Sequence, residues 1–217
     1  MSASEKIIIL NHVTKRYGNK KVLNDVSVAF EKGQIHGIIG RNGSGKTLMF
    51  KSICGLLRVD EGTVNVMGRY IGKDVDIPDD VGIIIEQPGF LPHYSGLKNL
   101  RLLALLKNTI PLSKVKETIK IVGLDPESKL SVGKYSQGMK QRLGIAQAIM
   151  ENQQILVLDE PMNGLDKQGL ADMRELFLTL KREGRTILLA SHNVEDIDLL
   201  CDTVHEMDQG QLTPIES

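Results

Sequence analysis

Gly40-Arg41-Asn42-Gly43-Ser44-Gly45-Lys46-Thr47 is the stretch on which the reading of this chain turns. It fits the pattern G-x-x-x-x-G-K-[ST] and has the context that the pattern needs. A short, mostly apolar run, residues 34–39, precedes it. A helical pattern follows, with Leu48, Met49, Ile53 and Leu56 on its apolar side. The glycines let the backbone curl so that successive N–H groups point inward. Those donors and the positive end of the following helix make an anion site. Lys46 can reach the β- and γ-phosphates of a nucleotide, and the Thr47 hydroxyl can ligate Mg²⁺. The plainer reading is a glycine-rich turn that binds nothing. A Lys-Thr pair in the first helical turn has no packing purpose, which argues against it. Leu48 stands where many such loops carry a second hydroxyl, so contact with the α-phosphate falls to the backbone there.

The second informative stretch is Ile155-Leu156-Val157-Leu158-Asp159-Glu160, an apolar strand that ends in two carboxylates. Asp159 is expected at the C-terminal edge of the sheet, where open α/β sheets bind ligands. There it can hold Mg²⁺ directly or through water. Glu160, one position on, can polarise the water that attacks the γ-phosphate. A strand capped by surface acids is the bland alternative, and the phosphate loop upstream outweighs it.

Between and around these stretches the chain alternates. Residues 6–13 and 21–30 read as strands joined by a turn at Tyr17-Gly18-Asn19-Lys20, and residues 63–67 and 81–85 as further strands. From about residue 86 the texture changes to an irregular Pro- and Gly-containing loop and three helical segments, near residues 97–106, 113–122 and 136–150. Alternation then resumes, with strands at 155–158, 186–190 and 203–207, the last expected to be final, and helices at 167–182 and 194–200. This order predicts an α/β fold of the P-loop NTPase kind. A mainly parallel sheet has helices on both faces, an N-terminal antiparallel β portion and a helical insertion. Residues 1–217 read as one domain, with 1–85 and 152–217 as the nucleotide-binding core and 86–151 as a helical subdomain.

Composition narrows the function classes. The 217 residues are 41% hydrophobic and 25% charged, ordinary values for a globular chain. Lys+Arg and Asp+Glu are equal at 27 each, so no global basic field attracts nucleic acid. No apolar run approaches the roughly 18 residues of a membrane span. The N-terminus, Met1-Ser2-Ala3-Ser4-Glu5-Lys6, runs into only four apolar residues, too few for a signal sequence, and a cytoplasmic location is expected. Cys54 and Cys201 form no close pair, which excludes a disulfide framework, and both read as small buried residues.

Three further segments carry a resemblance. Tyr135-Ser136-Gln137-Gly138-Met139 is followed by Lys140-Gln141-Arg142-Leu143. It resembles the signature motif of ABC transporter ATPases, usually L-S-G-G-Q with a basic run after it. Pro161-Met162-Asn163-Gly164-Leu165-Asp166 looks like that family's D-loop, and Ser191-His192 like its switch histidine. Tyr17 lies upstream of the phosphate loop, as the family's adenine-stacking aromatic does. Order and spacing hold from about Lys6 to Gln211. Within the family the chain looks most like ATPase subunits of bacterial multidrug or peptide-antibiotic exporters.

The resemblance implies ATP and Mg²⁺ as ligands. It also implies a homodimer or paired ATPase subunit closed around ATP, and a separate transmembrane permease that holds the subunit on the cytoplasmic face of the membrane. Ser136 and Gly138 would meet the γ-phosphate held by the second copy, while Gln137 and Met139 depart from the usual glycine and glutamine. Ser136 is also a plausible helix N-cap in its own right. His192 would approach the γ-phosphate. The family usually has a glutamine near Mg²⁺ after the strand at 81–85; Glu86 stands there in strict register, with Gln87 one beyond, and both are candidates. A rival reading, an ABC-type ATPase acting on nucleic acid or ribosomes, lacks the tandem domains, coiled-coil arms or basic field it would need. A GTPase lacks its N-K-x-D pattern, since Asn19-Lys20-Lys21 is followed by Val22.

Overall fold

The computed structural model describes residues 5–107 and 110–215, so the reading of residues 1–4 lies outside them. In chain order the first elements are β1 (Lys6–Tyr17), β2 (Lys20–Glu31), β3 (Ile35–Ile39), α1 (Lys46–Ile53), β4 (Glu61–Val66), β5 (Arg69–Tyr70) and β6 (Val81–Ile84). Three helices follow: α2 (Gly96–Lys107), α3 (Leu112–Ile121) and, after a 3₁₀ turn at Val132–Lys134, α4 (Gln137–Ile149). Then come β7 (Ile155–Asp159), α5 (Lys167–Arg182), β8 (Thr186–Ala190), α6 (Val194–Leu200), β9 (Thr203–Asp208) and β10 (Gln211–Ile215).

Two sheets result. One is antiparallel, in the order β2-β1-β4-β5, and holds the N-terminal part of the chain. The other has the order β10-β9-β3-β8-β7-β6; β9 through β6 run parallel, and β10 pairs antiparallel at the edge. The expected α/β architecture of the P-loop NTPase kind is therefore found. Alternation along β7 and β8 divides the core. Leu156, Leu158, Ile187 and Leu189 pack with side chains of α2 to α6. Ile155, Val157, Leu188 and Ala190 face the other way, onto α1 and the antiparallel sheet. Strands buried on both faces read as continuous apolar runs for this reason. Helices do lie on both faces, but on the second face α1 is joined by the antiparallel sheet.

Two local expectations are corrected, and one strand is added. The strand at 203–207 is not the last, because β10 returns beside β9 after Gln209-Gly210. β5 pairs briefly with β4 and had no sequence reading. Leu56 is not on the buried side of α1; it lies beyond the helix end and is 54% exposed, while Phe50 is fully buried in its stead.

The parallel strands all deliver their C-terminal ends to one edge. β3 leads into the glycine-rich loop, β6 into Glu86, β7 into Glu160 and β8 into Ser191-His192. This is the edge where such sheets bind ligands.

Candidate functional site

The glycine-rich loop is held by backbone hydrogen bonds, one within it and one from the turn between β9 and β10. The Ser44 N–H donates to the Arg41 carbonyl, and the Gly210 N–H to the Ser44 carbonyl. Gly40 and Gly45 have φ of 141° and 123°, which L side chains rarely adopt. A Cβ on Gly40 would stand 2.2 Å from the Met207 carbonyl oxygen, and one on Gly45 3.0 Å from that of Val22. Among the described residues nothing beyond its chain neighbours stands within 4 Å of the place where a Cβ on Gly43 would be, so the loop is open there.

The buried Lys46 ammonium curls into this loop, donating to the carbonyls of Gly40 at 2.6 Å and Arg41 at 3.2 Å. An ammonium has three donors, so one remains for an outside acceptor. The Ser44 Oγ is buried and has no hydrogen-bond partner among the described residues. A buried hydroxyl without a partner is costly unless something binds there. Thr47 and Asp159 are joined directly, with Thr47 Oγ1 donating to Asp159 Oδ2 at 2.7 Å. This places a hydroxyl and a carboxylate oxygen, both hard ligands suited to Mg²⁺, at the end of β7 beside the loop.

A cleft of about 560 Å³ opens onto these groups. The loop and α1 contribute Asn42, Gly43, Gly45, Lys46, Thr47 and Leu48; the strand ends contribute Glu86, Gln87, Asp159 and Glu160. The α4 face contributes Gln137, Lys140 and Gln141, which the sequence reading had not assigned to this space. Their spacing, i, i+3 and i+4, puts them on one side of a helix and is the signal that could have grouped them.

The two glutamates have unusual backbones. Glu86 has φ of 61° and Glu160 of 51°, in the left-handed region that non-glycine residues seldom occupy. Glu86 accepts a hydrogen bond from the Lys51 ammonium at 2.6 Å. Glu160 Oε2 lies 2.8 Å from His192 Nδ1. His192 itself is largely exposed and borders a second, larger opening of about 980 Å³, shared with Gly40, Arg41, Ser191 and Asn193. The Glu160–His192 pair thus bridges the two spaces.

The remaining expected site residues lie elsewhere. Ser136 caps α4, its Oγ accepting from the Met139 N–H at 3.2 Å, as its position before a helix suggested. Gly138 abuts Gly164, whose carbonyl oxygen would lie 3.0 Å from a Cβ there. Neither Ser136 nor Gly138 borders the cleft of its own loop. Tyr17, at the end of β1, is 54% exposed and lies apart from the cleft; Lys15 Nζ sits 5.8 Å from its ring centre. Cys54 and Cys201 are far from thiolate chemistry: burial pushes both thiols up to about 12.

Known proteins resemble this chain along nearly its whole length. The profile described as ABC transporter matches residues 23–163. An uncharacterized ABC transporter ATP-binding protein of Bacillus subtilis (strain 168) is 42% identical, over 97% of this chain and 96% of its own length. The bacitracin transport ATP-binding protein of Enterococcus faecalis is 39% identical, over 98% of this chain and 70% of its own. The lantibiotic transport ATP-binding protein of Streptococcus pyogenes is 32% identical, over 94% and 87%. Among solved structures, a nucleotide-free ATP-binding cassette from an ABC transporter superposes with a TM-score of 0.81 at 25% identity, covering 96% of this chain and 90% of that one.

Proposed function

The chain belongs to the ABC transporter family as an ATP-binding, ATP-hydrolysing subunit, and from that premise we propose how its own residues divide the work. The backbone N–H groups from Gly40 to Thr47 hold the phosphates of ATP, and Lys46 turns its free donor to them. Thr47 and Asp159 hold Mg²⁺, with Glu86 and Gln87 at hand just beyond the end of β6, the strand beside β7. When bound, Mg²⁺ would neutralise charge on the phosphate oxygens. Among the described residues no group of three or more His, Cys, Asp or Glu gathers as a metal cage. That suits Mg²⁺, which takes one or two protein oxygens and fills its shell from phosphate and water.

The observation that carries this reading is the Thr47–Asp159 hydrogen bond. It joins the first turn of α1 to the end of β7, so the loop and the acidic strand form one site. Glu160 is the base that orients the attacking water, and His192 holds its carboxylate in place. Tyr17 offers its exposed ring face to adenine.

We extend to this chain the transport role in its relatives' names. It would drive a substrate through a separate membrane permease, and export is the proposed direction. No described helix is long and apolar enough to cross a membrane. The assignment of the permease to another polypeptide, and of this subunit to its cytoplasmic face, is supported by the description of the relatives as ATP-binding proteins of transporters. The helical segment 86–151 is its docking region; Leu91, Leu105 and Leu106 are at least half exposed there. Two copies close around ATP, each offering Ser136 and Gly138 to the phosphates held by the other.

The test is Glu160→Gln. The amide keeps the shape of the carboxylate but cannot take a proton. ATP affinity should stay near the wild-type value while turnover falls roughly 10²- to 10⁴-fold. Wild-type turnover in Glu160→Gln with Mg²⁺ present would remove Glu160 from the role of base.

A further inference from the structure

We propose that Gln141 is a positioning residue for Glu160, tying the placement of α4 to the orientation of the Glu160 peptide. The inference rests on the reading of Glu160 as the base. It starts from the backbone of that residue. Glu160 follows the last residue of β7 with φ of 51°, a conformation that a non-glycine residue keeps only where its surroundings impose it.

Four contacts impose it. The Glu160 N–H donates to the Ala190 carbonyl at 3.0 Å, which extends the β7–β8 ladder by one bond. Its carboxylate meets His192 at 2.8 Å. Its carbonyl oxygen accepts from the Asn163 N–H at 3.3 Å and from Gln141 Nε2 at 3.1 Å. The first three come from the β7 and β8 ends and the loop beyond. Gln141 alone reaches across from α4, the helix capped by Ser136.

The geometry of α4 explains why Gln141 reaches. Gln137, Lys140 and Gln141 share the helix side that lines the cleft. The opposite side is buried through Leu143, Ile145, Ala146 and Ile149, so α4 cannot roll without disturbing the core. A shift of α4 as a body therefore moves the Gln141 amide relative to the Glu160 carbonyl. Without that donor the carbonyl keeps only the longer Asn163 bond, and the peptide is freer to leave the left-handed region. The carboxylate then swings away from its working direction, while the phosphate loop is untouched. Gln141 thus acts on turnover and not on nucleotide binding.

The experiment is Gln141→Leu, which removes the donor with an apolar side chain one atom shorter, with Gln141→Met as a second apolar replacement that keeps the side-chain length. Steady-state ATPase kinetics should show kcat reduced roughly 2- to 12-fold, the worth of one orienting hydrogen bond, with KM unchanged. In a Glu160→Gln background, Gln141→Leu should cause no further loss, because the group it positions is already gone. If the folded Gln141→Leu and Gln141→Met proteins keep wild-type kcat, the inference is overturned. It is equally overturned if the loss appears in KM, or recurs undiminished in the Glu160→Gln background. Wild-type turnover in Glu160→Gln alone would overturn the assignment of the base and this inference with it. An inactive Glu160→Gln beside a fully active Gln141→Leu removes this inference alone.

Discussion

Thr47→Val swaps a hydroxyl for a methyl of nearly the same volume, so its effect can be worked from one contact. The lost bond is Thr47 Oγ1 to Asp159 Oδ2 at 2.7 Å, and Asp159 is only 9% exposed. A hydrogen bond to a charged group contributes about 1.5–3 kcal/mol. Asp159 borders an open cleft, so water can replace part of what the hydroxyl supplied, and the low end applies, about 1.5 kcal/mol. For a chain of this length each kcal/mol moves the melting temperature by about 2–4 °C, so calorimetry without nucleotide and with EDTA should show a drop of about 3–6 °C. A second measurement isolates the metal. ATP with Mg²⁺ should raise the wild-type melting temperature more than ATP with EDTA, because a ligand that binds only the folded state stabilises it by mass action. Thr47→Val should shrink that difference, having lost an oxygen ligand. An unchanged melting temperature without nucleotide would show that the Thr47–Asp159 bond contributes nothing to the free protein. An undiminished Mg²⁺ increment would remove Thr47 from the metal site.

Two other outcomes are expected. Lys46→Ala should lose ATP binding, since a charge-assisted bond to phosphate contributes about 1.5–3 kcal/mol, roughly a 10- to 150-fold loss by titration calorimetry; unchanged affinity would count heavily against the loop as a phosphate cradle. Stability should fall on mild acidification. Burial holds the pKa of His36 and of His205 below the ordinary value, and both rings pack against Phe30. His36 sits between Thr203 Oγ1 and the Glu31 carbonyl, an arrangement that the neutral ring satisfies. A histidine with a lowered folded pKa gives up stability as pH drops below its unfolded value, about 6.5, because the unfolded chain then binds more protons. The melting temperature should therefore decline from about pH 6.5 to 5, above the range where the depressed Asp60 and Glu195 carboxylates begin to matter. A flat profile there, or the same slope in a His36→Gln, His205→Gln double variant, would refute this origin.

The parts of the fold that were legible are those in which one local rule acts alone. Lys167–Arg182, Thr186–Ala190 and Val194–Leu200 match their sequence readings because each has a clean period and a side-chain cap or turn at its start; Asp166 caps α5 and Asn193 caps α6. β1 was read as ending at Val13. It runs to Tyr17 because the strand bulges, with His12 at φ of 52° and shifted pairing after Leu10, and a bulge breaks the alternation that sequence reading follows. β10 was hidden by Pro214, which speaks against a central strand. It is an edge strand, where a missing N–H can face away from its one neighbour. In the site, the phosphate loop and Asp159 could be found because their neighbours lie close in sequence. The Gln141–Glu160 and Lys51–Glu86 contacts span 19 and 35 residues, and no local pattern reports which side chains such distances bring together.

Under the register that puts Glu86, rather than Gln87, at the place of the family's usual glutamine, we propose how the departure is absorbed. A carboxylate where glutamine is usual adds negative charge beside Asp159 and Glu160, in a cleft proposed to hold a polyphosphate. Like charges at that range repel, and more strongly where water is scarce. Lys51 answers this. It stands four residues after Thr47, one turn further along the same face of α1, and donates to Glu86 at 2.6 Å. The Glu86 side chain is 64% exposed, so the pair adds little to folding stability. What it supplies is charge: the Lys51–Glu86 unit is neutral, as a glutamine would be, and it fixes a residue whose backbone is already in the left-handed region. Gln87, the next residue, borders the same cleft with an uncharged amide. Under the proposed function, the chain thus presents two neutral oxygen-bearing groups at the end of β6, and Lys51 is what makes the first of them neutral.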